Sequence, residues 1–531
     1  MLVAVFFRFY QIVEMPGGLY PDEAANGLDI NLMEQGHLQP FYERGNGREA
    51  LFFYMEWASV AAFGRGPWQH HIVSALVGLL AVLGCFLATR KLFTINHPDD
   101  QAMDWRATNL ALLAAFLMAV GTWHVVLSRT AFRANLIPLF TSFTFYFLLR
   151  AYSASSTARR AAWAFATGAC FALGFYTYIA YRIMVPILFV LLLWPFLANG
   201  VKRVARAYWR AAAAFVLAFI IFIFPIAKYF YTHPGSFIGR SGEVSIFSHD
   251  LNGGHPLATF VEVTKESLLA FFTHGDLNWR HNISGFPFLS PLISPFFALG
   301  LILVTFFALR YVFMPRRYAH DWKQLLLGIW FWGMLLPVIS TAEGIPHGLR
   351  SIGMIPAVYI ISAFGLYRFV FAILTIIGER HKKTARWKVR IIEGALISLV
   401  PLFAITLILQ SYFSYFVYAA DSPENFYAFR SDLTVVSDYL KDNGSKHKTY
   451  LILDKFSLQT TDYLTYNQPY QQVDPEDSWK LPLLKAGDQI VFSQSSLFDT
   501  KKFKQYHPEA HLERYVENKF KQTVMAVYKV Q

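Results

Sequence analysis

Apolar runs of about twenty residues recur from one end of this chain to the other. A run of that length has one ready fold, a helix across the roughly 30 Å hydrocarbon core of a bilayer, because only a helix satisfies its own backbone there. The runs lie near residues 69–93, 107–127, 132–152, 161–178, 181–198, 210–231, 290–313, 323–341, 348–376 and 392–416, and a shorter one opens the chain. Composition agrees: 55% of the 531 residues are hydrophobic, only 15% are charged and the mean hydropathy is +0.35. Soluble domains carry about 25% charged residues. The expectation is an α-helical polytopic membrane protein with about eleven transmembrane helices.

The N-terminal segment Met1–Val13 contains Arg8, leads into Pro16-Gly17-Gly18 and has no small-x-small cleavage pattern, so it does not read as a cleavable signal. At about 1.5 Å per residue it covers about 20 Å, so either the start is misassigned or the first helix is short. Alternation of eleven helices puts five connections on one side. These carry Arg90/Lys91/Arg106, Arg150/Arg159/Arg160, Lys202/Arg203/Arg206/Arg210, Arg310/Arg316/Arg317/Lys323 and the run from Arg380 to Arg390. The positive-inside rule makes that side cytoplasmic. The net charge of +12 is therefore a topology signal, and no basic-aromatic nucleic-acid module accompanies it. Cys85 and Cys170 fall inside apolar runs and read as packing residues, giving neither a disulfide framework nor a metal site.

The domain expectation is a membrane domain over 1–416, with outer loops 14–68 and 232–289, and an extracytoplasmic α/β domain over 417–531. In the latter the apolar runs shorten to strand length at 449–453, 489–492 and 524–528, with helix-like stretches at 430–442 and 499–505. This tail has no phosphate loop and no metal-ligand spacing.

Polar features gather on the outer side. Asp22 and Glu23 follow Pro21 where the first apolar segment ends. They read equally as a helix opening, where carboxylates favour the positive end of the dipole, and as a general base. Arg129 and Arg133 stand four apart in Ser128-Arg129-Thr130-Ala131-Phe132-Arg133 at an outer turn, and Arg350 ends Pro346-His347-Gly348-Leu349-Arg350 at another. Arginines on the side where positive charge is otherwise avoided point to an anion such as a phosphate, or else snorkel to headgroups. Arg48 and Glu49 follow Gly47 in the first outer loop and either pair in solvent or line a site. His281 lies in His274-Gly275-Asp276-Leu277-Asn278-Trp279-Arg280-His281, a stretch that reads as a hydrogen-bonded loop or as cation ligands, with no standard spacing. Tyr178 and Arg182 sit in an outer aromatic cluster that reads as interfacial belt or as sugar-stacking surface. The sequons at Asn282 and Asn443 are patterns that arise readily by chance.

Pro-Asp-Glu in a short first loop, then Gly-Arg-Glu, an outer Ser-Arg…Arg turn and a late Pro-His-Gly-Leu-Arg turn resemble the GT-C membrane glycosyltransferases, in particular the protein O-mannosyltransferase and aminoarabinose-transferase-like group. The resemblance spans about residues 1–416. The chain has Gly47-Arg48-Glu49 where the best-known members carry a Lys-Pro-Pro or His-Pro-Pro type stretch. The resemblance implies transfer of a sugar, with inversion, from a polyprenyl-phosphate donor to a protein, lipid or glycan acceptor on the extracytoplasmic face of the plasma membrane. It implies Asp22, with Glu23 beside it, as the catalytic carboxylate. Arg129 or Arg133, and Arg350, would hold the lipid phosphate. Arg48, Glu49, His281, His347, Tyr178 and Arg182 are candidates around the acceptor. No cofactor is expected to be required, and a divalent cation is left open. The competing readings are a flippase for lipid-linked sugars and a metal-dependent transferase of the oligosaccharyl type, whose second acid would come from Asp276 or the acids of 243–250.

Overall fold

The computed structural model describes residues 1–94, 101–199, 201–238, 244–380, 386–443, 448–482 and 484–531. Glu243, residues 381–385 of the basic run after Arg380, and most of the sequon at Asn443 lie outside them. The chain divides into two compact units. The first comprises 1–10, 46–52 and 74–417, and the second 11–45, 53–73 and 418–531. The outer loop 14–68 that was expected to belong with the membrane helices is thus divided, and most of it is grouped with the tail.

The first unit is helical. Among the described residues seven helices are long and apolar enough to cross a membrane: Pro67–Thr94, Gln101–Val120, Val204–Thr232, Ser294–Phe313, Trp322–Ile339, Arg350–Ile376 and Ser398–Ala419. The remaining expected spans form shorter helices. Leu136–Tyr152 and Thr157–Leu173 have 17 residues each, and the opening helix Leu2–Phe9 has only 8. Burial sorts the seven. Only 17% of the apolar window of Val204–Thr232 is buried, whereas 67% of Trp322–Ile339 is. Exposed Leu217, Ile220, Ile221 and Phe224 on the former are what a lipid-facing helix presents, since an aqueous surface rarely shows so large an apolar patch. Helices approach closely where side chains are absent. A Cβ at Gly168 would overlap the Phe215 carbonyl, and one at Gly365 would overlap the Phe296 carbonyl. Small residues at helix contacts supply van der Waals packing where lipid removes the hydrophobic drive for association.

The second unit is built on a five-stranded mixed sheet: β1 (Thr449–Ile452), β2 (Gln471–Val473), β3 (Gln489–Ser493), β4 (Ala510–Glu517) and β5 (Thr523–Val530), in the order β2-β1-β3-β5-β4. The first three strands are parallel, and β5 runs antiparallel to β3 and β4. Alternation divides the core. Leu451, Val491, Met525 and Val527 pack on the helix Ser431–Asn443 through Leu433, Val436 and Leu440. Tyr450, Ile452, Ile490, Phe492 and Tyr528 pack on the other face with Phe503 and Leu481. The helices Pro21–Glu34 and Lys455–Leu464 pack through Leu19, Ala24, Tyr463 and Leu464. Gly27 sits against the Tyr463 ring, where a Cβ would not fit.

Candidate functional site

Asp22 and Glu23, adjacent in sequence, have opposite surroundings. Tyr20 caps the helix Pro21–Glu34, proline occupies its first position, and the Glu23 carboxylate turns back to accept the Tyr20 N–H at 2.9 Å. Glu23 is fully buried, with His71 Nε2 3.5 Å from its other oxygen, whereas Asp22 is exposed in the first turn. Glu23 therefore does structural work that the helix-opening reading assigned to the pair, and Asp22 lies on the exposed side of the same turn. Beside them, within the same unit, lies a buried network that sequence reasoning missed. His70 Nδ1 is 3.0 Å from Glu56 Oε1, His70 Nε2 is 2.8 Å from the Tyr463 hydroxyl, and Asn26 donates to Glu56 at 3.4 Å. Burial pushes the Glu56 carboxyl above the usual range, a shift that the neighbouring His70 partly offsets. The signal was present as a glutamate and two adjacent histidines in otherwise apolar stretches, where ionisable groups are rare.

In the first unit the two arginines of the 128–133 turn also part company. Arg129 is fully buried and donates from Nη1 to the carbonyls of Phe7 and Arg8, at 3.2 and 2.9 Å, with its guanidinium about 5 Å from the rings of Tyr415 and Phe416. It caps the C-terminus of the opening helix, where carbonyls lack intrahelical donors. Arg8, not among the sequence candidates, does the same for the end of the helix Gln101–Val120. It is fully buried and donates to the carbonyls of Ala119 and Met118, at 2.5 and 3.2 Å, and meets His124 Nδ1 at 2.7 Å. Arg129, expected as one of two alternative phosphate ligands, is thus taken up by the end of the opening helix.

Arg133 is different. Its side chain is 21% exposed, its Nε donates to Glu49 at 2.9 Å, its Nη2 reaches the Gly47 carbonyl at 3.4 Å, and its guanidinium lies 5.3 Å from the Tyr178 ring. Arg48 is buried, and so is Glu49. Arg182 donates to the Phe237 carbonyl at 2.5 Å and lies over the Phe237 ring at 4.1 Å. The structure brings Glu49, Arg133 and Tyr178 into one partly open cluster with a cation held by one edge.

Arg350 donates to the backbone and carboxylate oxygens of Glu343, at 2.7 and 2.6 Å, and Glu343 itself is 41% exposed. Just upstream, His347 meets the loop that holds Asp276 and His281. Asp276 Oδ2 lies 2.8 Å from His281 Nδ1 and 3.9 Å from His347 Nδ1, and the two imidazoles stack with centroids 4.8 Å apart. The carboxylate also accepts the Gly348 N–H at 2.7 Å and the Asn278 N–H at 2.8 Å. Trp123 fixes the turn by donating to the Gly348 carbonyl at 3.2 Å. Burial would raise the Asp276 carboxyl, but the His281 hydrogen bond and charge, with the Asn278 N–H, hold it below the usual range. Burial lowers His281, and lowers His347 strongly. Among the described residues this is the one grouping of three or more ligating side chains that could hold a metal ion.

No protein-family model matches the chain. No curated protein matches it either. Solved structures do. One is ArnT from Cupriavidus metallidurans bound to undecaprenyl phosphate, 13% identical, with a TM-score of 0.50 over 99% of this chain and 96% of that one. Another is the Archaeoglobus fulgidus oligosaccharyltransferase in complex with Zn and sulfate, 14% identical, with a TM-score of 0.49 over 100% of this chain and 72% of that one. A likeness spanning both chains almost end to end at so low an identity is one of architecture, and by it this polytopic chain has the GT-C fold of ArnT.

Proposed function

We propose that the chain is an inverting membrane glycosyltransferase that moves a sugar from a polyprenyl-phosphate donor to an acceptor hydroxyl on the extracytoplasmic face of the plasma membrane. The observation that carries this reading is the near full-length likeness to ArnT, a protein whose structure holds undecaprenyl phosphate. The residues supply compatible chemistry. A lipid phosphate is already a good leaving group and needs neutralisation more than protonation, which arginines provide. Arg133 suits that role, because Glu49 and Gly47 hold Nε and Nη2 while the side chain stays partly open. Arg350 suits it once the half-exposed Glu343 yields its place. The acceptor hydroxyl needs a base, and Asp22, exposed in the first turn of a helix, takes that role. The orientation rests on the basic connections lying on the cytoplasmic side.

The test is sugar transfer by the purified full chain in nanodiscs, with a panel of polyprenyl-phosphate sugars as donors and membrane extract as the acceptor source. Transfer by wild type that is lost in Asp22→Asn while donor binding persists is the expected result. Equal transfer by both proteins would remove Asp22 from the mechanism. Absence of transfer with every donor, together with donor movement across the bilayer, would replace the transferase by a flippase.

A further inference from the structure

The Asp276 loop and the His347 turn lie 71 residues apart in sequence, yet they meet through a carboxylate and two imidazoles. We propose that Asp276, His281 and His347 bind one divalent transition-metal cation of the Zn²⁺ class. The ligating atoms lie within 4.8 Å of one another, and the roughly 3.3 Å spacing that metal–ligand distances of about 2 Å impose in a tetrahedral site is reached when His347 moves inward by about 1 Å. One carboxylate and two imidazoles form a mixed O/N set that favours Zn²⁺ or Co²⁺ over Mg²⁺ or Ca²⁺, which prefer all-oxygen shells.

The surroundings are those of a prepared site. Asp276 and His281 are 7% exposed each, and the side chain of His347 is 17% exposed. The Gly348 and Asn278 amides donate to the carboxylate and fix its orientation, as hydrogen bonds to the ligands of metal centres do. Gly348 packs closely there, since a Cβ would lie 3.1 Å from the His281 carbonyl and 3.4 Å from Asp276 Oδ2. The His281–Asp276 hydrogen bond occupies the cation's position with a proton. Binding displaces that proton from Nδ1 to Nε2, and the cation takes the bare Nδ1. Three protein ligands leave a fourth position for water or for an anionic oxygen. Arg350, two residues beyond Leu349's neighbour Gly348, starts the next helical segment, so the cation would brace the turn that leads to it. The proposal stands independently of the transferase reading.

The experiment uses the full chain, purified without a histidine tag in detergent, stripped with chelator and titrated with ZnCl₂ and CoCl₂. Expected are one cation per chain by elemental analysis and the intense visible bands of tetrahedral Co²⁺. His347→Ala should weaken binding by more than the roughly 10- to 100-fold that loss of an outer-shell partner costs. His274→Ala, on an exposed histidine paired with Glu266, should bind as wild type does. A second readout needs no variant: Zn²⁺ should protect His281 and His347 from diethylpyrocarbonate, scored by peptide mass spectrometry. Wild type that takes up no cation, binding unchanged in His347→Ala, or equal modification of both histidines with and without Zn²⁺ would each overturn the proposal.

Discussion

Arg129→Met separates the architectural arginine from the one proposed to meet the donor. The side chain is fully buried and donates to two carbonyls, those of Phe7 and Arg8. Hydrogen bonds from a charged donor contribute about 1.5–3 kcal/mol each, so two give about 3–6 kcal/mol. Methionine keeps much of the volume and the packing on Tyr415 and Phe416, and it relieves the desolvation cost of a buried guanidinium, which offsets part of that sum. A net loss of about 2–4 kcal/mol results, a large fraction of the stability of a typical protein. The assay pairs thermal unfolding in nanodiscs with donor binding to the fraction that remains folded. Arg129→Met should unfold several degrees below wild type while the folded fraction binds a polyprenyl-phosphate sugar normally. Arg133→Met should instead weaken donor binding by the folded fraction, alongside a loss of stability from leaving the buried Glu49 carboxylate without its guanidinium. An Arg129→Met protein as stable as wild type but unable to bind donor would refute the reasoning, because it would place the guanidinium on the ligand instead of on the helix terminus.

Glu49→Gln should leave the protein folded but release the Arg133 guanidinium from its anchored edge, raising the KM for donor more than it lowers kcat; an unchanged KM would detach Glu49 from donor binding. The Glu56 carboxyl titrates above its unfolded value because it is buried, so its contribution to stability is present below about pH 4.5 and is lost as pH rises through the raised value. The melting temperature of wild type should accordingly carry a downward component over that interval that Glu56→Gln lacks, and identical pH profiles for the two proteins would contradict it. Gly365→Val places a branched side chain against the Phe296 carbonyl and should destabilise the helical unit by about 1–3 kcal/mol, read as a lowered melting temperature; wild-type stability would mean that the two helices can part at no cost.

The membrane helices were legible because the bilayer imposes its demand on every residue of a span at once, so a local run of apolar residues carries the information. The same holds for β1, β3 and β5, whose buried runs are strand-length. The strand β4 escaped notice because it is an edge strand with most side chains exposed, and an exposed strand has no apolar alternation to display. The polar sites were legible only as sets of alternatives, and the alternatives divided between neighbours. Arg129 and Arg133 share a turn, a spacing and a side of the membrane in the sequence reading. What distinguishes them is across the fold: two helix-terminal carbonyls for one, the Glu49 carboxylate for the other. Asp22 and Glu23 diverge in the same way, because a single turn of helix directs one toward Tyr20 and His71 and the other toward solvent. His281 and Asp276 were visible as neighbours, but the third member of their group comes from a turn 66 residues beyond His281. A buried charge is tolerated when a partner compensates it, and the partner's identity decides whether that charge holds the fold together or remains open to a ligand. Sequence carries the need for a partner; the fold supplies which partner it is, and with it the role.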